Sequence, residues 1–282
     1  MDEIKIQPVI KWTGSKRSQV HNIISNFPNE IDTYYEPFCG GASVLYALLK
    51  SEIKVNRFVL SDLNQDLINL WEIIKNQPKE LGDYYEILWT NLNQIDEIGW
   101  KSSYYNTVRD RFNKNHNAMD FFFLLRTCFN GMVRYSKDGK FNTSYHLNRN
   151  GMLPNKIKMI INDWSKLLND NNVEFICCDY KNIKPTENDF VYLDPPYNKT
   201  KGLYHGGIDN KELFQYMSEL PCGYILSYDG FSGDTDSTVN IPQELFDEHL
   251  YICSGNSSFK RIVEVDNKAI VRESLYIKKY KI

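Results

Sequence analysis

Short apolar strands alternate with amphipathic helices at both ends of this 282-residue chain, and the alternation stops in the middle. Thr33–Glu36 reads as a strand entering the turn Pro37-Phe38-Cys39-Gly40-Gly41, with a helix from Ala42 to about Lys50. Arg57–Ser61 is a second strand ending at Asp62. Gln65–Lys75 follows as a helix with Leu67, Ile68, Leu70, Trp71 and Ile74 on one face. Val173–Cys177, Asp189–Leu193, Gly223–Ser227 and Leu275–Ile277 are four further strands. This pattern predicts an α/β fold with a largely parallel, doubly wound sheet.

From Asn76 to about Lys158 the chain is aromatic and mostly helical, with one apolar block at Phe121–Leu125. Asp62 and Asp194 stand 132 residues apart. Two βα units need only roughly 60–70, at ~30 each. The excess predicts a subdomain, residues 76–158, inserted between 1–75 and 159–282 of one larger domain.

The sharpest chemical signal is Asp194-Pro195-Pro196-Tyr197, directly after the apolar strand Phe190–Leu193. Two prolines end the strand and impose an extended turn at its carboxyl end, where ligands bind in open α/β sheets. The turn offers a carboxylate, the Pro195 carbonyl and an aromatic ring. These can accept two hydrogen bonds from an amino group and stack on a planar ring, as the exocyclic amine of a nucleobase requires. Such an amine is a poor nucleophile because its lone pair is delocalised. Two acceptors aimed at its hydrogens favour a tetrahedral nitrogen, which is catalysis by positioned electrostatics. Standing alone, a Pro-Pro turn is more often a plain strand end.

Gly40 and Gly41 let the backbone approach a ligand at a helix start. Asp62 lies 22 residues after Gly40, at a strand end where an acid can bind ribose hydroxyls. No G-x-G-x-x-G pattern is present, so a nucleoside ligand without a pyrophosphate is expected. Before the first strand, Lys11-Trp12-Thr13-Gly14-Ser15-Lys16-Arg17 leads into a helix. Lys16 could cover a cofactor carboxylate and Trp12 could flank the site; a capped helix start is the equal alternative.

In the order Lys-Trp-x-Gly-x-Lys, Glu-Pro-Phe-x-Gly-Gly, Asp-Pro-Pro-Tyr, the chain resembles the Dam-type (alpha-group) DNA adenine-N6 methyltransferases. A fourth match, Arg126 to Tyr135 followed by Gly139-Lys140-Phe141-Asn142, lies inside the insertion. The resemblance spans roughly Ile10 to Tyr197. It implies a Rossmann-like methyltransferase sheet with an inserted, mostly helical DNA-recognition subdomain. The implied reaction is site-specific methyl transfer from S-adenosylmethionine to a flipped-out adenine in double-stranded DNA, with S-adenosylhomocysteine as product and no metal. Trp12, Lys16, Glu36, Pro37, Phe38, Gly40 and Asp62 match cofactor positions, with Asp179 and Tyr180 where the family meets the cofactor adenine. Asp194, Pro195, Pro196 and Tyr197 match the catalytic tetrapeptide, Asp194 also lying near the methionine amine. Arg134 matches a guanine-reading position, and Phe129 and Asn130 positions that enter or border the opened stack. Tyr135 and Lys140, in the same stretch, are expected at the DNA.

Departures bear on the recognition sequence. Asn142-Thr143-Ser144-Tyr145 replaces the usual Asn-Val-Pro-Tyr/Phe-Gly, Asn198 to Gly207 differs in length from many relatives, and Ser257 to Arg272 only loosely echoes a hairpin. Rival readings remain. Cytosine-N4 methylases usually carry Ser at the Asp194 position, and RNA or protein-glutamine methylases commonly Asn. A DNA-binding protein without catalysis would not need Asp194, Tyr197 and Lys16 together. Cys222 lies outside the context of a cytosine-C5 nucleophile, and the five His are scattered, so no metal site is expected.

The net charge, 33 cations against 36 acids, argues at first against a nucleic-acid partner. From Trp100 to Ile160, however, 11 cations face 3 acids, so a basic module is averaged with an acidic remainder. No run is apolar enough for a membrane helix, the residues Met1–Lys5 do not read as a signal peptide, and the six Cys read as free thiols. A cytoplasmic, bacterial or phage-encoded enzyme is expected, acting as a monomer, with a cognate restriction endonuclease as partner where it serves a restriction-modification system.

Overall fold

The computed structural model of the chain describes residues 6–197, 208–232, 235–256 and 270–279. Asn198 to Gly207 and most of Ser257 to Arg272, the two stretches where the family pattern loosens, lie outside the described residues. Among the described residues, eight strands form one sheet: β1 (Glu30–Glu36), β2 (Lys54–Asp62), β3 (Glu174–Cys177), β4 (Phe190–Leu193), β5 (Gly223–Ser232), β6 (Thr235–Asp236), β7 (Glu248–Asn256) and β8 (Ile270–Lys278). The order is β3-β2-β1-β4-β5-β8-β7, with the two-residue β6 paired to β5. Strands β1 to β5 pair in parallel. β8 runs antiparallel to both β5 and β7. The largely parallel, doubly wound sheet expected from the sequence is therefore present, and β7 is a strand that the sequence pattern did not reveal.

All four residues of β4 are buried, as befits a central strand covered on both faces. Successive side chains alternate between two cores. Phe190 and Tyr192 join the larger one, with Ile225 of β5 and Leu275 and Ile277 of β8. Val191 and Leu193 join the smaller one, with Tyr224, Leu226 and Tyr276.

Helices α1 (Val20–Ile24), α2 (Ser43–Leu49) and α3 (Gln65–Asn76) accompany the first two strands. The Asn64 side chain caps α3 by accepting from the Leu67 N–H. Between α3 and β3 run α4 (Pro78–Leu92), α5 (Ile98–Asn115), α6 (Ala118–Thr127) and α7 (Pro154–Asp170); α8 (Asn210–Glu219) follows β4. The expected boundary at 158 falls within α7, which starts at Pro154, a residue suited to the first helical turn. Phe121 to Leu125 of α6 are wholly buried in the same apolar cluster as Tyr34 and Leu60 of the sheet. The helices between α3 and β3 thus extend the sheet's core rather than enclosing a second one. Among the described residues, no helix is long and apolar enough to cross a membrane.

Candidate active site at the carboxyl ends of β1, β2 and β4

β1 lies between β2 and β4, so the strand order reverses there, and in an open α/β sheet such a reversal marks the ligand crevice at the strands' carboxyl ends. The turn after β1 forms one wall. Gly40 has φ +45° and Ala42 φ +49°, so the chain bends through left-handed backbone into α2. The Gly40 N–H donates to Asp62 Oδ2 at 3.2 Å, and the Gly40 carbonyl accepts from the Trp71 indole at 3.0 Å. A Cβ on Gly40 would stand 2.8 Å from the Trp12 ring, so glycine is what allows Trp12 to lie against the turn. Pro37 is buried and Phe38 half-buried. The Phe38 ring packs 5.2 Å from that of Tyr180. Tyr180 is buried, its hydroxyl without a hydrogen-bond partner among the described residues, and Asp179 caps the short turn that follows by accepting from the Lys181 N–H.

The second wall follows β4. Asp194 Oδ1 lies 2.7 Å from Lys16 Nζ, and Lys16 is buried. Glu273, on β8, brings a second carboxylate 3.4 Å from the same ammonium and accepts from the Tyr197 hydroxyl at 3.0 Å. Lys16 Nζ sits 4.8 Å from the centre of the Tyr197 ring. Pro195 is buried, and Pro196 and Tyr197 are half-buried. The fold thus gathers Trp12, Lys16, Glu36, Gly40 and Asp62 with the tetrapeptide. Glu273 was not legible beforehand, because no local pattern marks it.

Burial would lower the Lys16 amine, but the Asp194 and Glu273 carboxylates offset it and hold it above its ordinary value. Burial raises three acids: Glu36 to about 8 against the Tyr34 hydroxyl's hydrogen bond, Asp62 to about 6 against N–H donors, and Asp194 to about 6 against Lys16. Each folded value exceeds the unfolded one of about 4, so between the two values the unfolded chain binds fewer protons than the folded one and stability falls as pH rises. Stability from these groups is fully present below about pH 4 and is lost as pH passes each folded value. The ligand-free protein should therefore melt at a lower temperature at about pH 8 than at about pH 6, and Glu36→Gln should flatten that fall. Melting curves at both pH values check this; an equally steep fall in the variant would contradict it.

The expected DNA residues occupy the irregular stretch between α6 and α7. Phe129 stacks on His146 at 5.4 Å, and Asn130 is exposed at φ +55°. Arg134 is exposed, its Nε donating to Asn142 Oδ1 at 3.3 Å, and exposed Lys140 pairs with Asp138. Tyr135 turns inward: its hydroxyl donates to Asp66 Oδ2 at 3.1 Å and accepts from Asn64 at 3.3 Å. Half-buried Tyr135 thereby fastens this stretch to the cap and first turn of α3, just past Asp62. Buried Arg126 donates to the carbonyls of Pro8 and Val9, and the backbone at Gly131 packs against Lys11. Burial and the nearby Arg126 and Arg149 lower the Lys11 amine to about 8. Among the described residues, no group of three or more His, Cys, Asp or Glu is placed to hold a metal ion.

A family model described as D12 class N6 adenine-specific DNA methyltransferase matches residues 12–232. The type II methyltransferase M.MjaIII of Methanocaldococcus jannaschii is 35% identical over 217 residues, covering 71% of this chain and 73% of the relative. The type II methyltransferase M1.LlaDCHI of Lactococcus lactis is 29% identical, over 70% of this chain and 67% of the relative. A DNA adenine methylase of Haemophilus influenzae is 30% identical, over 69% and 65%.

Proposed function

The chain belongs to the D12 class of N6 adenine-specific DNA methyltransferases, and on that premise we propose how its residues divide the work. As a member it uses S-adenosylmethionine to methylate the adenine amine in DNA. The glycine turn with its close backbone approach, the acid at the end of β2 and the unpartnered Tyr180 hydroxyl fit a nucleoside-bearing cofactor. Trp12, Lys16, Glu36, Pro37, Phe38, Gly40, Asp62, Asp179, Tyr180 and Asp194 hold it, and no metal takes part. When bound, the cofactor supplies an electrophilic methyl group on a sulfonium.

The remaining work falls to the chain. The adenine leaves the duplex stack. Tyr197 stacks on its ring. Asp194 and the Pro195 carbonyl accept hydrogen bonds from its amino group, which directs the nitrogen lone pair toward the methyl group. An Asp194 oxygen then faces the positive charge that the nitrogen gains, and takes its proton. One observation carries this reading: the Asp194 carboxylate stands at the carboxyl end of β4, held at 2.7 Å by a buried lysine. The test is to incubate wild type with duplex DNA and methyl-labelled cofactor, then digest to nucleosides. N6-methyladenine is the expected product; N4-methylcytosine or no label sinks the reading.

Residues 76–158 would form the recognition subdomain, its basic surplus meeting the phosphates with marked salt dependence. Arg134 reads a guanine, with Asn142 orienting its guanidinium. A bidentate arginine–guanine contact contributes about 1–3 kcal/mol of discrimination. Arg134→Ala is expected to relax one base position by that amount and to leave cofactor affinity nearly intact. Methylation rates on duplexes changed at each site position, with cofactor titration, check it; lost cofactor binding would contradict the placement. The enzyme acts as a monomer. The type II names of two relatives support pairing with a cognate endonuclease, which protection of methylated host DNA from cleavage would test.

A further inference from the structure

We propose that Glu273 is a positioning residue for the methyl transfer: it holds Lys16 and the Tyr197 hydroxyl so that Asp194 can accept the target amine. The inference rests on the methyl-transfer reading and deepens it. Glu273 reaches the site from β8, 76 residues beyond Tyr197, because β8 pairs antiparallel with β5.

Lys16 Nζ, 2.7 Å from Asp194 Oδ1, already uses an acceptor that the adenine amine needs. Drawing a buried ammonium away from its only carboxylate would leave it uncompensated, which is costly. Here a second carboxylate stands 3.4 Å away, so Lys16 can lean toward Glu273 without losing an anionic partner. The triad of one ammonium and two carboxylates also carries a net negative charge, which suits the positive charge the amine nitrogen acquires. Glu273 fixes the stacking ring as well. It takes the Tyr197 hydroxyl at 3.0 Å, while Tyr228 meets that ring edge-on with centroids 5.9 Å apart. Anchored at its hydroxyl and flanked by Tyr228, the ring is restricted in the orientation it offers a flipped base. The charged and titratable groups facing Asp194 are Lys16, Glu273, Tyr197, Tyr192 and Glu36.

Glu273→Gln separates charge from shape, since glutamine can still accept from Tyr197 but no longer attracts Lys16. The variant is expected to lose about a hundredfold in kcat, with KM for DNA nearly unchanged. The acid limb of kcat/KM should move to lower pH, because a like charge beside Asp194 has gone. In the ligand-free protein, the Asp194 carboxyl carbon resonance, assigned by its loss in Asp194→Ala, should titrate at lower pH in the variant. A role confined to packing would move neither profile. Wild-type kcat with unchanged profiles in Glu273→Gln overturns the inference. So does a loss that appears in KM alone. A wild type that makes no methyladenine would instead sink the underlying reading. If Glu273→Gln melts early, Glu273→Asp serves: it keeps the charge and should restore the acid limb while its kcat stays low. Failure to restore that limb also overturns the inference.

Discussion

Replacing Asp194 with Ala is expected to lower N6-methyladenine formation by at least about a thousandfold while the protein stays folded. The rate falls because the amine loses the acceptor that exposes its lone pair and receives its proton. Removing one partner of a buried ion pair ordinarily destabilises by about 3–5 kcal/mol, since the other charge is left uncompensated. Here Glu273 remains 3.4 Å from Lys16 and can take over, so a smaller loss is expected. Cofactor affinity should weaken only modestly, because Trp12, Gly40 and Asp62 stand on other walls. Labelled-methyl transfer, cofactor titration and melting curves on one preparation test the three parts together. A variant that folds, binds cofactor and methylates at the wild-type rate would remove Asp194 from the mechanism.

Gly230→Ala is expected to destabilise the protein by about 3 kcal/mol, and methylation should fall with it. The residue lies where the β5–β8 register shifts between Tyr228 and Phe231. A Cβ there would stand 2.1 Å from the Arg272 carbonyl oxygen and 3.0 Å from Glu273 Cα. These are backbone atoms, with no flexible side-chain end to move aside. Relief requires β5 and β8 to part, which would carry Glu273 away from Lys16 and Tyr197. The urea midpoint and the methylation rate should therefore both drop. Glu273→Gln, by contrast, should lose rate while keeping its midpoint. A Gly230→Ala protein with the wild-type midpoint would show that the two strands have room to spare.

These two cases divide what could be read along the chain from what could not. β4 and the tetrapeptide after it were legible, because an apolar run buried on both faces and two prolines are local signals. The distance between Asp62 and Asp194 was legible too, and four helices, α4 to α7, fill most of it. Boundaries were less so: β1 begins at Glu30, where parallel pairing with Lys54 extends it beyond its apolar part. β7 escaped notice because its residues do not form a sustained apolar alternation. The Tyr135 hydroxyl meets Asn64 and Asp66, about 70 positions earlier, a contact that no local pattern announces.

The sequence by itself determined the kinds and order of the elements up to β5, and the chemistry gathered in three short motifs. Side-chain periodicity and turn-forming residues act within a few positions of one another, so a single pass along the chain can read them. Only the tertiary structure decided which side chains share the crevice. The order β1-β4-β5-β8 and the antiparallel register of β8 carry Glu273 to Lys16. Strand order and register arise from packing two cores at once across long sequence separations, and no local pattern encodes them.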